Sequence, residues 1–73
     1  MYPNPTNGLF SLSSNNNVLK ELVVYNLAGS PVKRFDTDSN RYFDIADLPR
    51  GNYLVRMLGE EGATLMTKLL QKL

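Results

Sequence analysis

The stretch Leu48-Pro49-Arg50-Gly51-Asn52-Tyr53-Leu54-Val55-Arg56-Met57 constrains the chain most, because a turn with defined chemistry runs straight into an alternating strand. Pro49 presets φ for the second position of a tight turn, and Gly51 accepts the positive φ that other residues resist. A turn is therefore expected over Leu48–Gly51. Beyond it, Tyr53, Val55 and Met57 fall on one face at period two, with Asn52, Leu54, Arg56 and Leu58 on the other. That is the pattern of a half-buried antiparallel strand with the first set turned inward.

The remaining segments divide in the same way. Tyr2-Pro3-Asn4-Pro5-Thr6-Asn7-Gly8 carries two prolines and a glycine, which forbid helix and central strand alike and predict an extended lead-in ending in a turn. Leu9 to Ser13 reads as a short strand closed by the polar run Ser14-Asn15-Asn16-Asn17. Lys20 to Asn26 is apolar at consecutive positions and rich in β-branched residues, as in a strand buried on both faces. Leu27-Ala28-Gly29-Ser30 supplies a hairpin glycine, and Pro31 to Phe35 returns as an edge strand with Val32 toward the core. Asp36 to Asn40 is a polar loop, and Arg41 to Ile45 a short strand with Phe43 and Ile45 inward. Gly59-Glu60-Glu61-Gly62 is an acidic hairpin tip.

The last segment, Ala63 to Leu73, admits two readings. Leu65, Thr67, Leu69, Gln71 and Leu73 alternate as in a strand, while Leu65, Leu69 and Leu73 also stand at helical spacing. A strand is favoured, because a hairpin tip precedes it and every other element is β. The whole is expected to be all-β, an antiparallel immunoglobulin-like β-sandwich of six to seven short strands. Its expected core includes Leu22, Val24, Val32, Tyr53, Val55 and Leu69.

At 73 residues the chain is one domain, 1–73, burying only about 60% of the surface its unfolded form exposes. Without cysteine or histidine it has no disulfide staple, no thiolate and no imidazole base, so stability must come from packing. A net charge of +1 gives no field to draw nucleic acid or an anionic membrane. No export signal opens the chain, no apolar run is long enough to span a bilayer, and direct membrane insertion is not expected. Met1 ahead of a proline-rich lead-in fits a start codon added to an excised domain, with a natural start as the alternative.

Chemistry is sparse. Asp36, Asp38, Asn40 and Asp47 fit positions one, three, five and twelve of a calcium loop, but Arg41 stands where that loop needs glycine, and the reading preferred is a solvated loop. Asp44 and Asp47 have no nucleophile beside them to make an acid–base pair, and Asp47 suits a turn start. Tyr25, Tyr42 and Tyr53 read as core tyrosines, with an aromatic platform for sugars as the alternative. No catalytic residue, metal ligand or cofactor is assigned, and an enzyme is not expected. Arg50 differs, because neither core nor turn geometry requires its type, which leaves it free for recognition.

Four pieces together carry a family resemblance. They are Tyr2-Pro3-Asn4-Pro5 with Gly8; Val24-Tyr25-Asn26-Leu27-Ala28-Gly29 with Val32; Leu48, Gly51 and Tyr53 in an L-x-x-G-x-Y pattern; and Lys68-Leu69-Leu70 near the end. In order and spacing the chain resembles the type A C-terminal sorting domains of the type IX secretion system (Por secretion system) of the Bacteroidota. That family commonly has aspartate where Asn26 stands, a change that keeps the turn-forming side chain. The resemblance implies a portable address on a larger exported protein, carried through the periplasm to secretion or the cell surface. Its implied partners are outer-membrane secretion machinery and a sortase-like peptidase that removes the domain. Candidate recognition residues are Pro49, Arg50 and Gly51 in the turn and Lys68, Leu69, Leu70, Gln71, Lys72 and Leu73 at the end. Tyr2, Pro3, Asn4, Pro5, Gly8, Gly29, Leu48 and Tyr53 are the expected structural motif. The competing reading, resting on architecture alone, is an immunoglobulin-like adhesion or carbohydrate-binding module.

Overall fold

The computed structural model describes residues 3–11, 19–37 and 42–73. Among these residues six strands follow in order: β1 (Leu9–Ser11), β2 (Glu21–Tyr25), β3 (Pro31–Asp36), β4 (Tyr42–Asp44), β5 (Gly51–Leu58) and β6 (Thr64–Lys72). β2, β3, β5 and β6 form one sheet in the order β3-β2-β5-β6, and β1 pairs with β4 in a second, with every neighbour antiparallel. Leu12 to Val18 and Asp38 to Arg41 lie outside the described residues, including the Asn-rich run and most of the second polar loop.

The small sheet lids the large one. Phe10 and Phe43, opposite each other on β1 and β4, have their rings 5.5 Å apart, and Phe35 of β3 meets Phe43 edge-on at 5.3 Å. Beneath them sit Leu22, Val24, Val55 and Leu70 of the large sheet, none of them with any exposed surface, together with Ile45, Tyr53 and Met57. The alternation over β5 holds as the sequence predicts. Aromatic pairs at these separations add about 0.5 to 1.5 kcal/mol each beyond the area they bury.

β2 is buried on both faces, and the second face has a definite cover. Val23 stands opposite Arg34 on β3 and Arg56 on β5. Arg34 Nη1 donates to Glu21 Oε1 at 3.1 Å, and the Arg56 guanidinium lies 4.9 Å above the Tyr25 ring. Held in these positions, the two aliphatic stems flank Val23 while the charged heads stay in water.

Two expected core residues are not in the core. Val32 is 37% exposed, because a bulge at Val24/Tyr25 sets Tyr25 opposite Pro31 and Val24 opposite Lys33, so Lys33 and Phe35 face inward. Leu69 is 54% exposed while its neighbour Leu70, opposite Tyr53, is fully buried. The whole alternation of the last strand is therefore one residue out of step with the expected one. Lys68 and Lys72 consequently share the inner side with Leu70, not the side opposite the apolar residues.

The hairpin between β2 and β3 closes on Asn26. Its Oδ1 accepts from the Ala28 and Ser30 amides at 3.0 Å each, while the Gly29 amide donates to the Asn26 carbonyl and Gly29 takes φ +89°. Asn26→Ala should cost about 1 to 2 kcal/mol in a urea titration, since two amides lose their acceptor, whereas Asn26→Asp keeps the oxygen and should sit near wild type. Equal losses in the two variants would show that the oxygen does not hold the turn.

Candidate functional site

The candidate recognition residues come together on one edge of the large sheet. β6 pairs with β5 so that Lys72 stands opposite Gly51, Leu70 opposite Tyr53 and Lys68 opposite Val55. The end of the chain thus lies beside the Pro49–Gly51 turn. Pro49, Arg50, Gly51, Lys68, Leu69, Gln71 and Leu73 are exposed, Lys72 is half-buried and Leu70 belongs to the core. On β6 the exposed apolar residues are Leu65, Met66 and Leu69, with Leu73 just beyond, at 44 to 57% exposure. No acidic residue follows Glu61.

The hydrogen-bonded turn before β5 falls earlier than Leu48–Gly51. The Leu48 amide donates to the Ile45 carbonyl at 3.0 Å, and Asp44 Oδ1 accepts the Ala46 amide at 2.8 Å, so an aspartate side chain starts the turn and Asp47 lies inside it. Leu48 to Arg50 then bend into Gly51, which does take a positive φ, +149°. The Tyr53 hydroxyl donates back to the Pro49 carbonyl. That bond accounts for the spacing of the L-x-x-G-x-Y pattern: the tyrosine ring fills the core, and its oxygen reaches the bend that precedes its own strand.

Asp47 pairs with the inward-turned Lys33, with Nζ 2.5 Å from Oδ1, tying the outer strand β3 to this turn. The hydrogen bond from Lys33 holds the Asp47 carboxyl below the ordinary carboxylate range. A lowered pKa in the folded state means that the ionised form stabilises above the ordinary carboxylate range, and that this contribution disappears as pH falls through the lowered value. Asp47 is exposed, so the contribution is small and screened by salt. Asp47→Asn should flatten the fall in urea midpoint below about pH 4 and lose that difference in 1 M salt.

The lead-in segment has a role that composition does not disclose. The Thr6 amide donates to the Gln71 carbonyl and the Leu73 amide to the Thr6 carbonyl, both at 2.8 Å, in a parallel bridge along the outer edge of β6. Asn4 extends it with its side chain: Nδ2 donates to the Leu69 carbonyl at 2.8 Å, and Oδ1 accepts the Gln71 amide at 3.0 Å. An asparagine amide here does the work of a peptide group. Thr6 is buried, its hydroxyl donating to the Leu9 carbonyl and accepting from the Gly8 amide, which locks the lead-in to β1. Pro3 and Pro5 flank Asn4 in the open, and Tyr2 lies outside the described residues. The signal was present in the sequence as an asparagine between two prolines that cannot donate, but its partners are 65 and 67 residues away.

Among the described residues the other candidate constellations do not come together. The three tyrosines do not share a core or a platform: Tyr53 is buried, Tyr25 lies under Arg56 on the outer sheet face, and Tyr42 is 65% exposed on the small sheet. Of the calcium-loop positions, Asp38 and Asn40 fall outside the described residues and Asp47 is engaged by Lys33. No group of three acidic side chains converges among the described residues. No helix among them is long and apolar enough to cross a membrane.

No characterised protein matches the chain in a sequence comparison. A family model described as the secretion system C-terminal sorting domain matches residues 1–72, and three of the motif pieces that suggested that family meet physically, with Asn4 bonded to β6 and Lys72 opposite Gly51. The chain belongs to the family of secretion system C-terminal sorting domains.

Proposed function

We propose that residues 1–73 form a single sorting domain carried by a larger exported protein, and that the export machinery reads it through β6 and the adjoining Pro49–Gly51 turn. Family membership makes the chain a sorting signal for type IX secretion, an address that sends an attached protein toward the outer membrane or cell surface. Its partner is that system's machinery. Transit through the periplasm and removal by a sortase-like peptidase complete the proposed course.

One observation supports the choice of surface. Leu65, Met66, Leu69 and Leu73 are half exposed along a strand at the sheet's edge, beside two lysines and without an acidic residue. Apolar side chains on an outer strand invite association and are ordinarily removed or masked, so a row of them marks a contact surface. Arg50 extends it at the turn.

Fusion of the chain to a periplasmic reporter tests the reading in a host that has the secretion system. The wild-type fusion should appear outside the cell. Leu69→Ser with Leu73→Ser should leave the fold intact, because both side chains face water, yet reduce export by about tenfold or more, the loss expected when contact anchors are truncated. Wild-type export from that folded double variant would remove β6 from the recognised surface.

A further inference from the structure

The outer edge of β6 is not uniform. Backbone groups of a strand point alternately to either side, and Leu69, Gln71 and Leu73 direct theirs away from β5, where Asn4 and Thr6 satisfy the Leu69 carbonyl, both groups of Gln71 and the Leu73 amide. Thr67 has the same parity, with no bulge between it and Leu73, so its amide and carbonyl also point outward, as does the Leu69 amide. Among the described residues nothing pairs with these three groups, and every side chain from Thr64 to Leu69 is exposed. Among the described residues, the sheet edge is closed from the Leu69 carbonyl to the Leu73 amide and open one pleat earlier.

We propose that Asn4–Thr6 is a cap dividing this edge, and that the uncapped part around Thr67 is where an extended segment of the export machinery adds as a further strand. This rests on β6 being the recognised element and assigns each half its own chemistry. The capped half offers side chains, Leu69 and Leu73, because its backbone is already bonded on both sides. The open half offers backbone groups, with Lys68 and Met66 on one side and Leu65 on the other. The complementary segment is extended, apolar and acidic: strand addition gives affinity through main-chain bonds, and carboxylates answer a stretch that carries lysine and no acid.

Amide hydrogen exchange on the full chain tests the cap directly. In the wild type, Gln71 and Leu73 should exchange about tenfold or more slowly than Thr67, although chain ends ordinarily fray and exchange first. Asn4→Ala should speed Gln71 by about tenfold while leaving the core amide of Leu70 unchanged. Equal rates for Gln71 and Thr67 in the wild type, or acceleration spreading to Leu70, would overturn the cap. The open half is tested by Thr67→Pro and, as a second variant, Leu69→Pro in the reporter fusion. Proline is tolerated on an edge where the lost amide faces outward, so both should fold, and both should reduce export by about tenfold or more. Undiminished export from folded Thr67→Pro overturns strand addition while leaving the sorting role, measured by the wild-type fusion, untouched, whereas undiminished export from folded Leu69→Pro overturns strand addition together with the side-chain contact assigned to Leu69. Unfolding of both overturns it as well, since it would show that these amides are already bonded.

Discussion

Leu70→Ala should destabilise the domain by about 2 to 5 kcal/mol, and Leu69→Ala, one residue earlier, by less than about 0.5 kcal/mol. Leu70 is fully buried against Tyr53 and the phenylalanine lid, so truncation loses the transfer energy of its side chain and leaves a cavity in a core built from a few residues. Leu69 is more than half exposed, and water already solvates most of what the mutation would remove. Small domains hold only about 0.05 to 0.15 kcal/mol per residue, so the loss at Leu70 consumes much of the total. Urea midpoints of the two variants decide the matter, and a larger shift for Leu69→Ala would place the wrong face of β6 inside. The contrast matters for function too, because it separates a residue that keeps the address folded from one that is free to be read.

That contrast also shows where sequence reasoning reaches its end. Strand β5 was legible because its apolar and polar residues alternate cleanly behind a proline–glycine bend, and β2 because a strand apolar at consecutive positions from Leu22 to Val24 needs cover on both sides. β6 was not, since Leu65, Met66, Leu69 and Leu70 put apolar residues on both faces and period two cannot choose between them. The choice is made by tertiary structure: the phenylalanine lid covers the side that holds Leu70, and a bulge at Met57/Leu58 sets Met57 opposite Met66 and Leu58 opposite Thr64. Val32 failed for a related reason. A bulge is one extra residue on one strand, and nothing in Pro31-Val32-Lys33 announces it. Of the candidate site, the terminal strand and the turn were both legible as stretches, but not that Lys72 would face Gly51. The clamp through Asn4 was out of reach, because an asparagine between two prolines marks a local irregularity but does not name partners that lie nearly the whole chain away.

Gly8→Ala should be among the most damaging substitutions that change a single methyl group. Gly8 takes φ +144°, which an L side chain resists at about 1 to 3 kcal/mol, and a Cβ built there would sit 2.9 Å from the Cα of Ala46. Main-chain atoms cannot rotate out of the way as a side-chain tip can. The Gly8 carbonyl also receives the Ile45 amide at 2.6 Å, so the chain after β4 is pinned at the point where the new methyl would push. Relief would have to come from separating the lead-in from the turn before β5, which adds an overpacking cost of about 1 to 3 kcal/mol. Gly29 supplies the control: φ is +89°, and nothing lies within 4 Å of its Cβ position, so Gly29→Ala carries the conformational cost without the clash. The urea midpoint of Gly8→Ala should therefore fall clearly below that of Gly29→Ala. Because Gly8 anchors Thr6 through the threonine hydroxyl, the damage should spread to the edge cap, with the Leu73 amide exchanging faster than in the wild type even where the core amides of Leu22 and Val55 remain protected. Matching midpoints for the two glycine variants would mean that the approach of Ala46 to Gly8 contributes nothing, and that the glycine of the opening motif is needed for its backbone angle alone.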